Sequence, residues 1–318
     1  MKLLLLLLAL PAFAAVNGLV INGTLGKPQP GAAISLVQPG QQGMQTLGTT
    51  TSAGDGTFAF DATPTGPVLL QATHKGVTYS ALVQPNQPKT GVQVLVYESS
   101  AKRDGVEIDR HGILFEPLEN KLVVREFIFI DNKSKQTYND DANGTYRFYL
   151  PSDAEQLKVS VTPPSGMALT RSASKTAEKN VQKISFPIRP GQTQFELEYA
   201  LPLKDPIEFS GNILHADGAT RLIVPKGFAL EGKDLEKFAP EPTTMSPIYG
   251  IKSGPFTVKM IGRAAPPEPV DEDSGSPPVK AHRPRLYDRF YWVLGLGLAI
   301  MVLSLLALGT RTTSAKKK

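Results

Sequence analysis

Gly18-Leu-Val-Ile-Asn-Gly-Thr-Leu-Gly-Lys-Pro-Gln-Pro-Gly-Ala-Ala-Ile-Ser-Leu36 decides the fold class. Two short apolar runs flank a turn rich in glycine and proline, and neither run is long enough to make a helix. Working outward, the same unit recurs. Strands are expected at 19–22, 33–37, 45–51, 57–61, 68–73, 78–83 and 92–97, with turns at 26–28, 39–40, 54–56 and 74–76. Short strands at roughly ten-residue spacing point to a β-sandwich.

The quoted stretch resembles the opening of carboxypeptidase regulatory-like (transthyretin-like) domains, in which a first strand leads to a Gly-x-Pro turn, then Gly-Ala and an alternating second strand. Thr51-Ser-Ala-Gly-Asp-Gly-Thr-Phe-Ala-Phe60 is similar to the second signature of that family, and residues 66–76 to the hairpin that follows. Ser52 stands where the signature has aspartate, with a one-residue insertion, and Val68 where it has an aromatic residue. The resemblance implies an Ig/transthyretin-like sandwich over residues 15–98. It implies no active site, because members of the family serve as accessory, spacing or interaction modules. His74, His111, His215 and His282 are scattered, and none opens the H-x-x-E pair a zinc peptidase needs, so no metal and no cofactor is expected.

Residues 99–262 continue in the same manner, with strands expected at 113–116, 122–130, 145–150, 157–161, 184–188, 195–201, 207–213, 222–224 and 256–261. Leu122-Val-Val-Arg-Glu-Phe-Ile-Phe-Ile130 is the most apolar and reads as a central strand. A hairpin is expected over 181–201 around Arg189-Pro-Gly-Gln192, and one helical turn at 234–238. The economical fold is a second β-sandwich, with a possible division at Pro202–Pro206. The fold class is therefore all-β, as tandem sandwiches.

The ends specify an address. Met1-Lys2, a run of leucines and the triplet Ala12-Phe13-Ala14 read as a secretory signal over residues 1–14, cut after Ala14 or Ala15. Residues 263–286 are rich in proline and charge and read as a disordered tether. A transmembrane helix is expected at 287–309. Its uncharged heart, Phe290–Leu308, would rise about 28 Å and cross the hydrocarbon core. A basic tail, 310–318, follows it. The signal sets orientation, with the bulk of the chain outside the cytoplasm and the C-terminus inside. Gly295 and Ala299 form a small-xxx-small pair suited to helix packing. Arg283, Arg285 and Arg289 precede the helix and read as contacts to anionic lipid or an acidic partner.

Composition narrows the function. The chain of 318 residues has no cysteine, which excludes disulfides, thiol catalysis and lipoprotein attachment. Its net charge of +5 gathers near the C-terminus, so no nucleic-acid footprint is expected. Arg125-Glu126 with Glu98, Glu116 or Glu119 could supply paired carboxylates, but charges on a half-exposed strand more often pair across strands. Asp104, Asp109 and His111 could suggest a metal, yet such spacings occur in plain loops. Asn22-Gly-Thr24, Asn132-Lys-Ser134 and Asn143-Gly-Thr145 fit the glycosylation sequon, which matters only in a eukaryotic host, whereas the compact signal has a bacterial character. The expected protein is not an enzyme. It is a single-pass inner-membrane protein, bound to lipid through its C-terminal helix, whose periplasmic sandwiches bind an envelope protein or a polysaccharide. The alternatives are a structural subunit docked by its helix and a glycan-binding or glycan-active module.

Overall fold

Alternation of apolar and polar side chains sets which face of a strand is buried. Along Lys121–Asn132 buried and half-buried positions alternate without a break over twelve residues. The computed structural model describes residues 16–40 and 43–263, and among these the chain is all β, with no helix. These residues lie in one compact unit.

The first sandwich has two sheets. In one, Val16–Asn22 pairs antiparallel with Lys27–Pro28 and Thr57–Phe60, and parallel with Val92–Val96. The other runs Gly43–Thr51, Ala33–Gly40, Val68–His74, Val77–Val83. Val20, Phe58 and Val94 from the first sheet meet Ile34, Leu36, Leu70 and Tyr79 from the second in one core. Each of the seven expected strands is present, with ends moved by a few residues.

The remaining chain is built on an eight-stranded sheet. Its order is Leu169–Arg171, Glu155–Thr162, Gly191–Pro202, Lys121–Asn132, Val106–Pro117, Ala219–Ile223, Ile248–Ile251, Glu236–Lys237. Two three-stranded sheets supply the opposing walls. One contains Tyr146–Tyr149, Val181–Ile184 and Ser174–Lys175; the other contains Ile207–Ile213, Gly254–Gly262 and Phe228–Gly232. Each completes its own apolar cluster against the same long strands. Ile108, Ile128, Ile130, Phe195 and Leu197 pack with Tyr146, Phe148 and Ile184. Ile113, Phe115, Leu122, Val124 and Leu201 pack with Phe209, Leu230 and Val258.

Three expectations are corrected. The division of this region runs across the three long strands, each of which serves both cores, rather than at Pro202–Pro206 alone. Residues 181–201 are no hairpin: Val181–Ile184 pairs with Tyr146–Tyr149, while Gly191–Pro202 pairs with Lys121–Asn132. Residues 185–190 between them, with prolines at 187 and 190 and with Phe186 and Ile188 buried, carry the chain from one sheet to the other. The helical turn expected at 234–238 is instead the short strand Glu236–Lys237, because its backbone finds partners on Ile248–Ile251. Phe228–Gly232 and Ile248–Ile251, too short and glycine-bearing to stand out in sequence, are also strands.

The two regions are joined by more than their single covalent crossing. Ser99–Ser100 pairs in parallel with Thr137–Tyr138. Tyr79 donates its hydroxyl to the Tyr97 carbonyl at 3.0 Å and lies 2.8 Å from Thr137 Oγ1. Arg189 donates to the Thr78 carbonyl at 2.6 Å, with its guanidinium 5.2 Å from the Tyr79 ring centre. Thr24 donates to the Lys135 carbonyl and accepts from the Glu98 amide. Glu98 in turn holds Asn22 and His74, each at 2.8 Å.

The signal with Ala14 and Ala15, the tether beyond Arg263, the membrane helix at 287–309, Gly295, Ala299 and the arginines Arg283, Arg285 and Arg289 lie outside the described residues. Among the described residues no helix is long and apolar enough to cross a membrane.

Candidate functional site

The site is where the two cores of the long sheet meet. Strict alternation along Val106–Pro117 would place Val106 and Ile108 inward and His111 outward. A bulge between Ile108 and Arg110 inserts one residue and reverses the phase, so that His111, Ile113 and Phe115 face the core. Glu126 faces the same side from Lys121–Asn132, and Tyr199 from Gly191–Pro202. All three are buried, at 4%, 5% and 1% exposure.

These groups satisfy one another. Tyr199 donates its hydroxyl to Glu126 Oε1 at 2.8 Å, and Glu126 Oε2 lies 3.0 Å from His111 Nε2. His111 Nδ1 lies 3.0 Å from His215 Nε2, and His215 Nδ1 lies 2.7 Å from the Asp217 carbonyl. A carbonyl only accepts, so the proton of neutral His215 sits on Nδ1 and its Nε2 accepts from His111. The contact between His111 and Glu126 then holds a single proton. Burial, with the neighbouring His111 second, lowers the pKa of His215 from its ordinary 6.5. Burial likewise raises Tyr199 well above the usual phenol value.

The loop carrying His215 is held to the bulge. Asp217 Oδ2 accepts from the Ile108 amide at 2.6 Å and from Arg103 at 2.8 Å. Gly218 follows at φ +75°, and a Cβ there would lie 2.4 Å from the Ile108 carbonyl oxygen. Only glycine lets the two backbones approach this closely.

The cavity at the cluster itself is about 10 Å³, room for roughly one water. Beside it a groove of about 320 Å³ opens to solvent, lined by Arg103, Tyr138, Tyr146, Arg147, Glu178 and His215. Tyr138 and Tyr146 are 8% and 5% exposed. Burial raises both phenol pKa values, and no hydrogen bond from a described residue reaches either hydroxyl. Arg103 is paired with Asp217 at 2.8 Å and Arg147 with Glu178 at 2.5 Å.

The candidate residues from sequence fare unequally. Arg125 pairs across strands on the outer face, with Glu198 at 2.8 Å and Glu116 at 3.2 Å. Its neighbour Glu126 turns the other way and belongs to the buried cluster. Glu98 serves the junction, and Glu119 lies in the turn before Lys121–Asn132. Asp109 pairs with Arg110, and Asp104 joins none of the buried groups. Among the described residues no three His, Asp or Glu side chains are arranged to hold a metal. Sequence reading missed His215, Tyr199, Tyr138 and Tyr146, which no spacing connects. The sequon asparagines Asn22 and Asn132 are buried, 0% and 3% exposed, with their amides engaged, which closes them to a glycan in the folded chain. Asn143 is exposed.

No family model and no curated protein matches the chain. Among solved structures, an M1 zinc metallopeptidase mutant from Deinococcus radiodurans is 11% identical over 50% of this chain and 43% of that one, with a TM-score of 0.27. The chain thus spans less than half of that protein's length, and a likeness this slight carries no argument.

Proposed function

We propose that this is a membrane-anchored, extracytoplasmic binding or scaffold protein without catalytic activity, acting through its β-sandwich domains. The observation that carries the reading is how the ionisable groups of the buried site are used. Both nitrogens of His111 and of His215, and both oxygens of Glu126, are already engaged inside the protein. General acid–base chemistry needs such a group within reach of a substrate proton. The junction supports the reading further, because the Tyr79, Thr137 and Arg189 contacts make a stiff two-part body suited to presenting a surface. The two facing sheets of the first sandwich support reading residues 15–98 as a carboxypeptidase regulatory-like domain.

The apolar run Phe290–Leu308, within the expected helix 287–309, and the leader 1–14 support the proposed address. The test is crosslinking in intact membranes, with N-terminal sequencing of the membrane-fraction protein. The expected mature terminus is Ala15 or Val16, with crosslinks from residues 16–263 to an envelope partner. An intact Met1 terminus overturns the topology. A stoichiometric complex lost when 287–309 is replaced by an unrelated membrane helix overturns the scaffold reading in favour of a subunit docked through its helix.

A further inference from the structure

We infer that the groove beside His215 is a binding site for a small monocarboxylate with an apolar body. The inference rests on the reading of the protein as a binder and names a ligand class for it.

The charge of the lining is the central observation. Its charged side chains are Arg103, Arg147 and Glu178, two guanidiniums against one carboxylate. His215 adds none at pH 7, because burial first and His111 second lower its pKa from the ordinary 6.5. The lining therefore carries one positive charge in excess, which a monoanion balances and a cation does not. Tyr138 and Tyr146 border the same groove and stay neutral, since burial raises both phenol pKa values. Their hydroxyls reach solvent and have no partner among the described residues, so they stand as further donors. A lesser effect of the Arg103 charge on both phenols places its guanidinium near the two of them.

Both arginines are paired, yet neither is spent. Asp217 stands outside the lining and accepts from Arg103 and from the Ile108 amide, so it fixes the guanidinium from behind. The rest of the five N–H groups of Arg103 are left for a ligand. Arg147 pairs with Glu178 on the rim, where the two side chains are 40% and 63% exposed. An exposed pair of this kind contributes little, so Glu178 can yield its place to another carboxylate. A carboxylate offers two oxygens in one plane, which the guanidinium fork matches. The lining also includes Ile108, Ile130 and Leu214, which suit an apolar body. A volume of about 320 Å³ lies at the small end of ligand pockets, which range from about 300 to 1,000 Å³. His215 contributes only the flank of its ring, since both nitrogens are in use.

The test is calorimetric titration of the full chain, held at about pH 7 in a neutral detergent and a buffer without carboxylates. The probes are benzoate, its neutral isostere benzamide, and inorganic phosphate. Saturable binding of benzoate is expected, with benzamide about tenfold weaker and phosphate no tighter than benzoate. Arg147→Gln, on the exposed rim, should fold normally and weaken benzoate about five- to tenfold. Glu178→Gln removes the competing carboxylate from the same rim and should tighten benzoate about two- to threefold. A merely structural pair would leave both variants at the parent affinity. Absence of saturable heat with benzoate, equal affinity for benzamide, tighter binding of phosphate, or weaker benzoate binding in Glu178→Gln each overturns the inference. Membrane retention and partner crosslinking do not depend on the groove. A chain that passes those tests and ignores benzoate disproves the ligand class and leaves the binding-protein reading standing.

Discussion

Each strand of the first sandwich serves one core, whereas the three longest strands of the second region each serve two. Twelve residues at about 3.3 Å per residue reach roughly 40 Å, more than a three-stranded cover spans. Two covers are therefore needed, and a gap falls between them on the long sheet. His111, Glu126 and Tyr199 fill that gap. The first sandwich has no comparable join: its central cluster is apolar but for the Tyr79 hydroxyl, and its buried polar residues, Asn22 and Ser52, are uncharged. A polar interior here follows from architecture: where two covers meet, backbone and side chains at their margins need hydrogen bonds that an apolar filling cannot supply.

Five substitutions, the last joined to a change of pH, press on this contrast, from large effect to small. Glu126→Ala leaves His111 and the Tyr199 hydroxyl without their shared partner, and breaking a buried pair in this way costs about 3–5 kcal/mol. Urea unfolding followed by circular dichroism should show that loss, with both cores of the long sheet failing together. Leu70→Ala in the first sandwich creates a simple apolar cavity and should cost about 2–5 kcal/mol. An unfolding midpoint unchanged in Glu126→Ala would falsify the view that the cluster joins them.

Gly218→Ala should come next. The added Cβ meets the Ile108 carbonyl, and the backbone is in the left-handed region, so a loss of about 1–3 kcal/mol is expected. Histidine NMR signals should report the displaced His215. If they stay in place, the close approach at the bulge is not what holds the loop.

Tyr79→Phe removes one hydrogen-bonding hydroxyl from the junction and should cost about 1 kcal/mol. Limited proteolysis should then cut sooner between Glu98 and Val106. Unchanged cutting there would mean that the paired strands Ser99–Ser100 and Thr137–Tyr138 hold the junction unaided.

The smallest effect is on pH. His215 titrates at a lower pH in the folded chain than its ordinary 6.5, so below 6.5 the unfolded chain binds more protons. Stability contributed by the neutral ring is full above 6.5 and lost as pH falls through the folded value. Glu98 acts at lower pH in the same direction. Its hydrogen bond from His74, then that from Asn22, lowers it from 4.5, so its contribution is full above 4.5 and lost beneath. His215→Gln should flatten the pH dependence just below 6.5 and leave the acid limb intact. A slope that survives the substitution would assign that titration elsewhere.

The first sandwich was legible because strands such as Thr57–Phe60, Val68–His74 and Val77–Val83 alternate between turns marked by glycine. Leu122 to Ile130 was legible as a central strand for the same reason. The site was not. The bulge at Asp109 changes phase without any unusual residue to announce it, so His111 reads as outward-facing. Glu126 stands next to Arg125, and only the period of two assigns the neighbours to opposite faces. His215 lies 104 residues beyond His111, and their meeting depends on which cover the chain enters after Pro206. No spacing connects Tyr138 with Tyr146, and that they border one groove is visible only once the strands have been placed.

Gly254–Gly262, the last described strand before the chain leaves toward 264, has mechanical consequences. It lies between Ile207–Ile213 and Phe228–Gly232 and is hydrogen-bonded to both. Tension entering from its C-terminal end acts along the strand axis, so ladder bonds on both flanks share the load at once and do not open one by one. Pulling the chain by its C-terminus against the first sandwich should therefore give a high rupture force for this strand, as single-molecule force spectroscopy can measure. The strand that leads out of the body is thus held along both of its edges.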